Sequence, residues 1–303
     1  MDISDSVRRT QPLLGTFVEI AAAGAERDDL QQAIDEAFAA VAQVHRLMSF
    51  HDPLSDVSLL NREASTRAVA VHDGTYQVLQ MAMELHRQSA GVFDVTVAPL
   101  LQQCGLLPRD ADDPAPAMDQ RSAEAAVELL GEGRVRYRRP RTRIDPGGIA
   151  KGFAVDRALD VLRQHGLTRG LVNAGGDLAA FGPEPELVHI RHPANAGQVL
   201  GSAAIANAAL ASSGRTFDLL QLSAAGDCAV FDPVTQRPVR GIIGATVRAP
   251  SCMVADALTK VVMIVGEGAE SLLRRYRASA LFVLESGDVW ITPDWQDAVR
   301  LAA

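Results

Sequence analysis

The sequence has no dithiol spacing, no basic excess and no apolar run of membrane length, and each absence removes a class of function. Its three cysteines, Cys104, Cys228 and Cys252, lie far apart in 303 residues and form no C-x-x-C pair. That excludes a zinc knuckle and a dithiol redox motif. An odd number of thiols in a long chain points to a reducing compartment rather than a disulfide scaffold. With 29 Lys and Arg against 37 Asp and Glu, the net charge is −8, and the chain lacks the basic stripe that a nucleic-acid surface needs. The opening MDISDSVRRTQPLLGTFVEI has no apolar core of signal-peptide length. No segment reaches the roughly 20 apolar residues that span a bilayer. These features together read as a cytoplasmic protein that meets neither nucleic acid nor membrane.

Catalytic signatures of several common kinds are missing too. Among the seven histidines the only close spacing is His189-x-x-His192, beside Pro193, which is a poor metal pair. Ser212-Ser213-Gly214 lacks the G-x-S-x-G frame of a nucleophile elbow. There is no internal repeat.

What is present is the composition of a globular protein, 48% hydrophobic and 22% charged, long enough to enclose a ligand. Residues 17–23 read as a strand, 28–48 as an amphipathic helix, 49–58 as a polar loop and 75–88 as a second helix. The Asp-, Pro- and Ala-rich 108–118 reads as an exposed excursion, and 135–144 as a strand. A helix follows over 149–165, then short strands at 171–173, 178–181, 187–191, 199–205 and 221–223. A wholly apolar helix at 253–264 and a hairpin of 280–284 with 289–292 complete the chain. Helices and strands mix without regular alternation, so the expected class is α+β, with residues 1–303 forming one domain of two packed lobes.

Four constellations are candidates for chemistry. In Asp145-Pro146-Gly147-Gly148-Ile149-Ala150-Lys151-Gly152, paired glycines precede a helix and a lysine sits in its first turn. Backbone N–H groups and a helix N-terminus suit a phosphate. A tight turn with a solvated lysine is the alternative, and the spacing is neither G-x-G-x-x-G nor a Walker A loop. Asn173-Ala174-Gly175-Gly176-Asp177 reads as a hairpin or bulge. Asp256, Thr259 and Lys260 lie in the apolar helix, where a carboxylate needs a partner. An i,i+4 pair with Lys260 and a magnesium site are both open. In Val92-Phe93-Asp94, the aromatic suits a ring and the acid suits a heterocycle or ribose; the alternative is a loop entering a short strand, with the acid capping it.

Taken in order, LLGTFVEI, MSFHDPLSDVSLLN, GVFDVTVAPL, DPGGIAKGFAVD, LVNAGGDLAAFG, ALASSGR, FDPVTQRPV and ADALTKVVMIVG resemble the ApbE family from Leu13 to Gly266. The resemblance implies an α+β fold with an FAD pocket between two lobes. It also implies magnesium-dependent transfer of FMN from FAD to a threonine of a target protein, with release of AMP. It places Leu14, His51, Asn61, Val92, Phe93, Asp94, Gly147, Lys151, Phe153 and Phe231 around FAD. The Ala150 carbonyl and Asp256 would hold magnesium, joined by a hydroxyl at Thr259 if the helix were locally displaced, while Lys151, Asp256 and Lys260 would face the reacting phosphates. Three departures stand out. Ala229 occupies the position of the family's histidine, Gln236 that of a glycine, and Lys260 that of the second metal ligand. A protonated lysine has no lone pair for a cation. The alternative reading is therefore a non-catalytic FAD-binding protein in which the Lys260 ammonium replaces the magnesium ion.

Overall fold

The computed structural model describes residues 6–109, 126–214 and 230–302. Eight strands form one sheet in the order β1 (Ser6–Leu13), β2 (Thr16–Ala23), β6 (Arg169–Ala174), β7 (Asp177–Phe181), β10 (Ala208–Gly214), β13 (Ile242–Ala249), β14 (Ser279–Leu284) and β15 (Val289–Ile291). Every pairing in it is antiparallel, which is the mixed α+β arrangement expected rather than a doubly wound sheet. In β2 the buried residues are Val18, Ile20 and Ala22, the period-2 pattern of a strand with one face inward.

Helices α1 (Arg27–Met48), α5 (Ala150–Gln164) and α6 (Cys252–Val265) cover one face of this sheet. Helix α1 buries Leu30, Ile34, Ala37, Phe38 and Val41, a single apolar stripe. Helix α6 buries ten of its residues because α5 lies on it from one side and β10 and β13 from the other. The opposite face carries a second layer, the sheet β16 (Val299–Leu301), β9 (Asn195–Ile205) and β8 (Glu186–His192). There Trp295, fully buried, packs with Leu178, Ile190, Leu210 and Leu281. Strand β7 lies between the two layers and is buried at all five positions.

The helices α2 (Asp56–Glu63) and α3 (Asp73–Gln88) stand beside a small sheet of β3 (Val69–Ala70), β5 (Arg134–Tyr137) and β4 (Val127–Leu129). The short α4 (Ala98–Gln103), α7 (Glu270–Arg275) and the hairpin β11 (Phe231–Asp232) with β12 (Arg237–Pro238) complete the described α-helices and strands.

Three expectations need correction. The loop at 49–58 ends early, because Ser55 caps α2 by accepting the Ser58 N–H at 3.0 Å. The strand at 135–144 stops at Tyr137, before a turn in which Arg141 takes a φ of +67°. Strand β1 was not foreseen: of its eight residues only Val7 is buried, so an edge strand of mostly polar residues shows almost no apolar alternation. The strand at 221–223 and all of the 108–118 excursion except Pro108 and Arg109 lie outside the described residues.

The β11–β12 turn explains why a glycine would suit position 236. Asp232 accepts from Val234 N at 2.8 Å and Thr235 Oγ1 at 2.7 Å, and Gln236 is left with φ +59°. A non-glycine residue in the left-handed region costs about 1–2 kcal/mol. Gln236→Gly is therefore expected to raise stability by about 0.5–1 kcal/mol after the added chain entropy of glycine, read as a raised urea midpoint with an unchanged slope.

Candidate functional site

The glycine turn is held from behind by Asn61 on α2. Its Nδ2 donates to the Ile144 carbonyl at 3.0 Å, and its Oδ1 accepts the Ile144 N–H at 2.8 Å and the buried Tyr137 hydroxyl at 3.4 Å. Asn61 thus behaves as a backbone substitute that fixes where the turn begins. The Asp145 N–H donates to Val95 O at 2.8 Å, and the Asp145 carboxylate accepts the Gly147 N–H at 3.2 Å. Burial pushes the Asp145 carboxyl above its usual range, partly opposed by the Gly147 N–H and by His51. His51 itself is exposed.

Helix α5 then starts at Ala150, and its N-cap residue Ile149 makes no side-chain hydrogen bond. The Ile149 and Ala150 N–H groups donate to the Pro146 carbonyl, each at 2.9 Å, so the positive potential there comes chiefly from the helix dipole. Lys151, in the first turn, reaches across to β7 and pairs with Asp177 Oδ2 at 2.7 Å. Asp177 is 2% exposed at its side chain. Burial raises its carboxyl, an effect that Lys151 offsets, while Asp177 in turn holds Lys151 above its ordinary value.

One residue on, Gly152 is where α5 touches α6. A methyl group there would stand 2.2 Å from the Cys252 carbonyl oxygen and 2.8 Å from Asp256 Cβ. Only glycine lets the two backbones approach so closely. The Gly152 N–H donates to Asp256 Oδ2 at 3.0 Å. Asp256 is completely buried, and its other oxygen pairs with Lys260 Nζ, which also donates to the Asp256 carbonyl at 3.1 Å. The Thr259 hydroxyl lies 2.6 Å from that carbonyl and 2.7 Å from Ser213 Oγ of β10. The outcome is two lysines and two buried aspartates beside a glycine turn, from α5, α6 and β7.

A further helical turn along α5, Asp156 accepts the Cys252 N–H at 2.7 Å and the Met253 N–H at 2.9 Å, so it caps α6 from outside that helix. Burial pushes its carboxyl up to about 6 against those two hydrogen bonds. Since the folded value lies above the unfolded one near 4, the folded state binds more protons between the two. Stability from this group is present below about pH 4 and is lost as pH rises to about 6. Asp156→Asn is expected to remove that slope. Its stability relative to the parent should rise by on the order of 2 kcal/mol between pH 4 and 7, measured by urea unfolding at each pH.

The remaining predicted residues fall into two groups. Leu14 and Gly15 form the β1–β2 turn with φ +57° and +69°, the positive pair of a two-residue hairpin. Val92, Phe93 and Asp94 are stapled to α3: the Phe93 N–H donates to Ser89 Oγ, its carbonyl meets His86 Nδ1, and Asp94 Oδ1 caps Thr96 at 2.6 Å. Asp94 thus takes a capping role, but over a helical turn at Val95–Val97 rather than the short strand expected. Phe231 is buried in β11, while Ala229 lies outside the described residues. Phe153 does not face the lysine cluster. Two residues along a helix turn by roughly 200°, and its ring packs toward α3, where a methyl on Gly74 would lie 3.3 Å from Cε1.

Asp177, Asp156 and Ser213 were not singled out as site residues from the sequence. Asp177 carried a signal: a lone acid entering an apolar strand after two glycines demands a partner. Asp156 and Ser213 carried none, because their partners lie on other elements.

The oxygen set does not fit magnesium. Both Asp256 carboxylate oxygens are engaged, the Thr259 hydroxyl is shared with Ser213, and the Ala150 carbonyl belongs to the first turn of α5. Magnesium requires near-octahedral oxygen coordination. Among the described residues no group of three or more His, Cys, Asp or Glu could hold a metal ion. Among them, too, no helix is long and apolar enough to cross a membrane.

Comparison with known proteins gives one consistent result. The sequence model of the ApbE family matches residues 14–282. An FAD:protein FMN transferase of Vibrio cholerae is 28% identical over 87% of this chain and 83% of its own length. One of Escherichia coli K12 is 24% identical over 83% of this chain and 77% of its own. The ApbE protein of Thermotoga maritima shares the fold, with a TM-score of 0.85 at 24% identity over 97% of this chain and 99% of the other.

Proposed function

Because the chain belongs to the ApbE family, we propose that it acts as an FAD:protein FMN transferase, moving FMN from FAD to a threonine of a target protein. The observation that carries this reading is the N-terminus of α5 beside the glycine turn, with Lys151 and Lys260 both placed there by buried aspartates. Such a corner suits a pyrophosphate, since a helix dipole and fixed ammonium charges meet an anion without reorganising.

The reaction is a displacement at phosphorus. The acceptor hydroxyl oxygen forms a bond to the FMN phosphorus, the pyrophosphate P–O bond breaks, AMP leaves with the bridging oxygen, and the hydroxyl proton passes to solvent. Lys151 and Lys260 would counter the charge that accumulates on the phosphate oxygens. Gly147 and the α5 N-terminus would orient the pyrophosphate. Leu14, His51, Val92, Phe93, Asp94, Phe153 and Phe231 would border the two ring systems, and Asn61 would hold the turn. No step is assigned to magnesium.

The test is incubation with FAD and a threonine-bearing acceptor lysate, followed by chromatography of FAD, FMN and AMP and in-gel flavin fluorescence. AMP release together with a fluorescent protein adduct is expected. Intact FAD with no adduct, across magnesium, manganese and chelator, would overturn transfer.

A further inference from the structure

We infer that Lys260 is a built-in counter-cation, so that this site holds the pyrophosphate of FAD without a divalent metal. The inference rests on the FAD-binding reading above and concerns only what neutralises charge within it.

Lys260 lies one turn beyond Asp256 on α6, so the two side chains share a face. Its ammonium is fixed by the Asp256 carboxylate and by the Asp256 carbonyl. Its stem runs along the glycine turn: a methyl on Gly148 would approach Lys260 Cε to 3.4 Å and Cγ to 3.7 Å. The head group is thereby placed between a buried anion and the proposed phosphate cradle. Its side chain is 21% exposed, against 0% for Asp256, so the cation remains open to a ligand that the carboxylate cannot reach.

An ordinary surface pair does not account for this arrangement. The i,i+4 pair Arg274–Glu270 has side chains 77% and 41% exposed, a setting in which ion pairs contribute little. Asp256 is instead an acid sealed in an apolar helix, and removing its partner would leave an uncompensated buried charge. A metal beside Lys260 does not account for it either. A divalent ion sharing Asp256 with the ammonium would meet a like charge at hydrogen-bonding range, and the ammonium offers no lone pair. Lys260 adds one positive charge where magnesium would add two. With Lys151, Asp177 and Asp256 the four formal charges then cancel, leaving the N-terminal dipole of α5 and the two ammonium heads to attract the anion.

The experiment is a flavin-fluorescence titration of the full chain with FAD, in chelator and in magnesium, together with Mn²⁺ electron paramagnetic resonance. Parent protein is expected to bind FAD with less than a twofold change between the two buffers and to leave Mn²⁺ free in solution. Lys260→Met, which keeps the stem and removes the charge, should weaken FAD at least tenfold in chelator. Lys260→Thr should weaken it similarly in chelator and recover in magnesium, with Mn²⁺ now bound. FAD binding by the parent that is lost in chelator, or stoichiometric Mn²⁺ in its FAD complex, would overturn the inference while leaving the FAD site standing. Absence of FAD binding in both buffers would reject the site itself, and the inference with it.

Discussion

Gly152→Ala should cost about 3 kcal/mol of stability, the upper part of the range for overpacking a close contact. The added methyl would lie 2.2 Å from the Cys252 carbonyl oxygen and 2.6 Å from its carbon. Those are backbone atoms at the start of α6, held in place by Asp156 and by the Ser251 cap, so no rotamer change relieves the clash. Helices α5 and α6 must separate. That also loosens the Gly152 N–H bond to Asp256, and a buried carboxylate loses one of its two partners. Alanine's better helix propensity returns less than about 1 kcal/mol. Gly268→Ala is the control, since a methyl there meets only Val265 carbons at 3.5 and 3.8 Å. Urea unfolding should show a large loss for Gly152→Ala and a change within about 0.5 kcal/mol for Gly268→Ala. Equal behaviour of the two would show that the helix contact tolerates separation.

The same contact shows what could be read along the chain. The helix at 253–264 was legible because apolar residues recur all round it, and it forms as Cys252–Val265. The helix at 149–165 was legible from its glycine start and Gly166 stop. Their crossing was not, because the requirement for glycine at 152 comes from a carbonyl 100 residues further on. Ion pairing divides in the same way. Lys260 with Asp256 follows from helical spacing, whereas Lys151 with Asp177 depends on how β7 lies against α5. Ordered motifs carried the family without any of this geometry. The partner of Lys151 was settled by an element distant in sequence, whereas a lysine in place of a metal ligand was legible from the motif order alone.

Lys151→Met is expected to be costly for both stability and chemistry, and a second substitution separates the two. Asp177 is buried between two layers of sheet and helix, and Lys151 is its cation at 2.7 Å. Removing one member of a buried pair costs about 3–5 kcal/mol because a charge remains without compensation. The lower end applies here, since the lysine side chain is 35% exposed and water screens part of the interaction. The loss should depend on pH in a defined direction. Burial already raises the Asp177 carboxyl and Lys151 opposes that rise, so without the lysine the folded-state value moves further above the unfolded one. A carboxyl raised on folding favours the folded state at low pH and disfavours it as pH rises. Lys151→Met should therefore be nearly as stable as the parent near pH 4 and fall furthest behind above pH 7. Adding Asp177→Asn removes the stranded charge and should restore most of the stability at pH 7. AMP release should stay about 10²–10³-fold below the parent in both variants, because the cation proposed to face the phosphates is absent from each. A single variant that costs under about 1 kcal/mol at pH 7, or a double variant that regains activity with stability, would remove Lys151 from the site and leave it a structural ion pair.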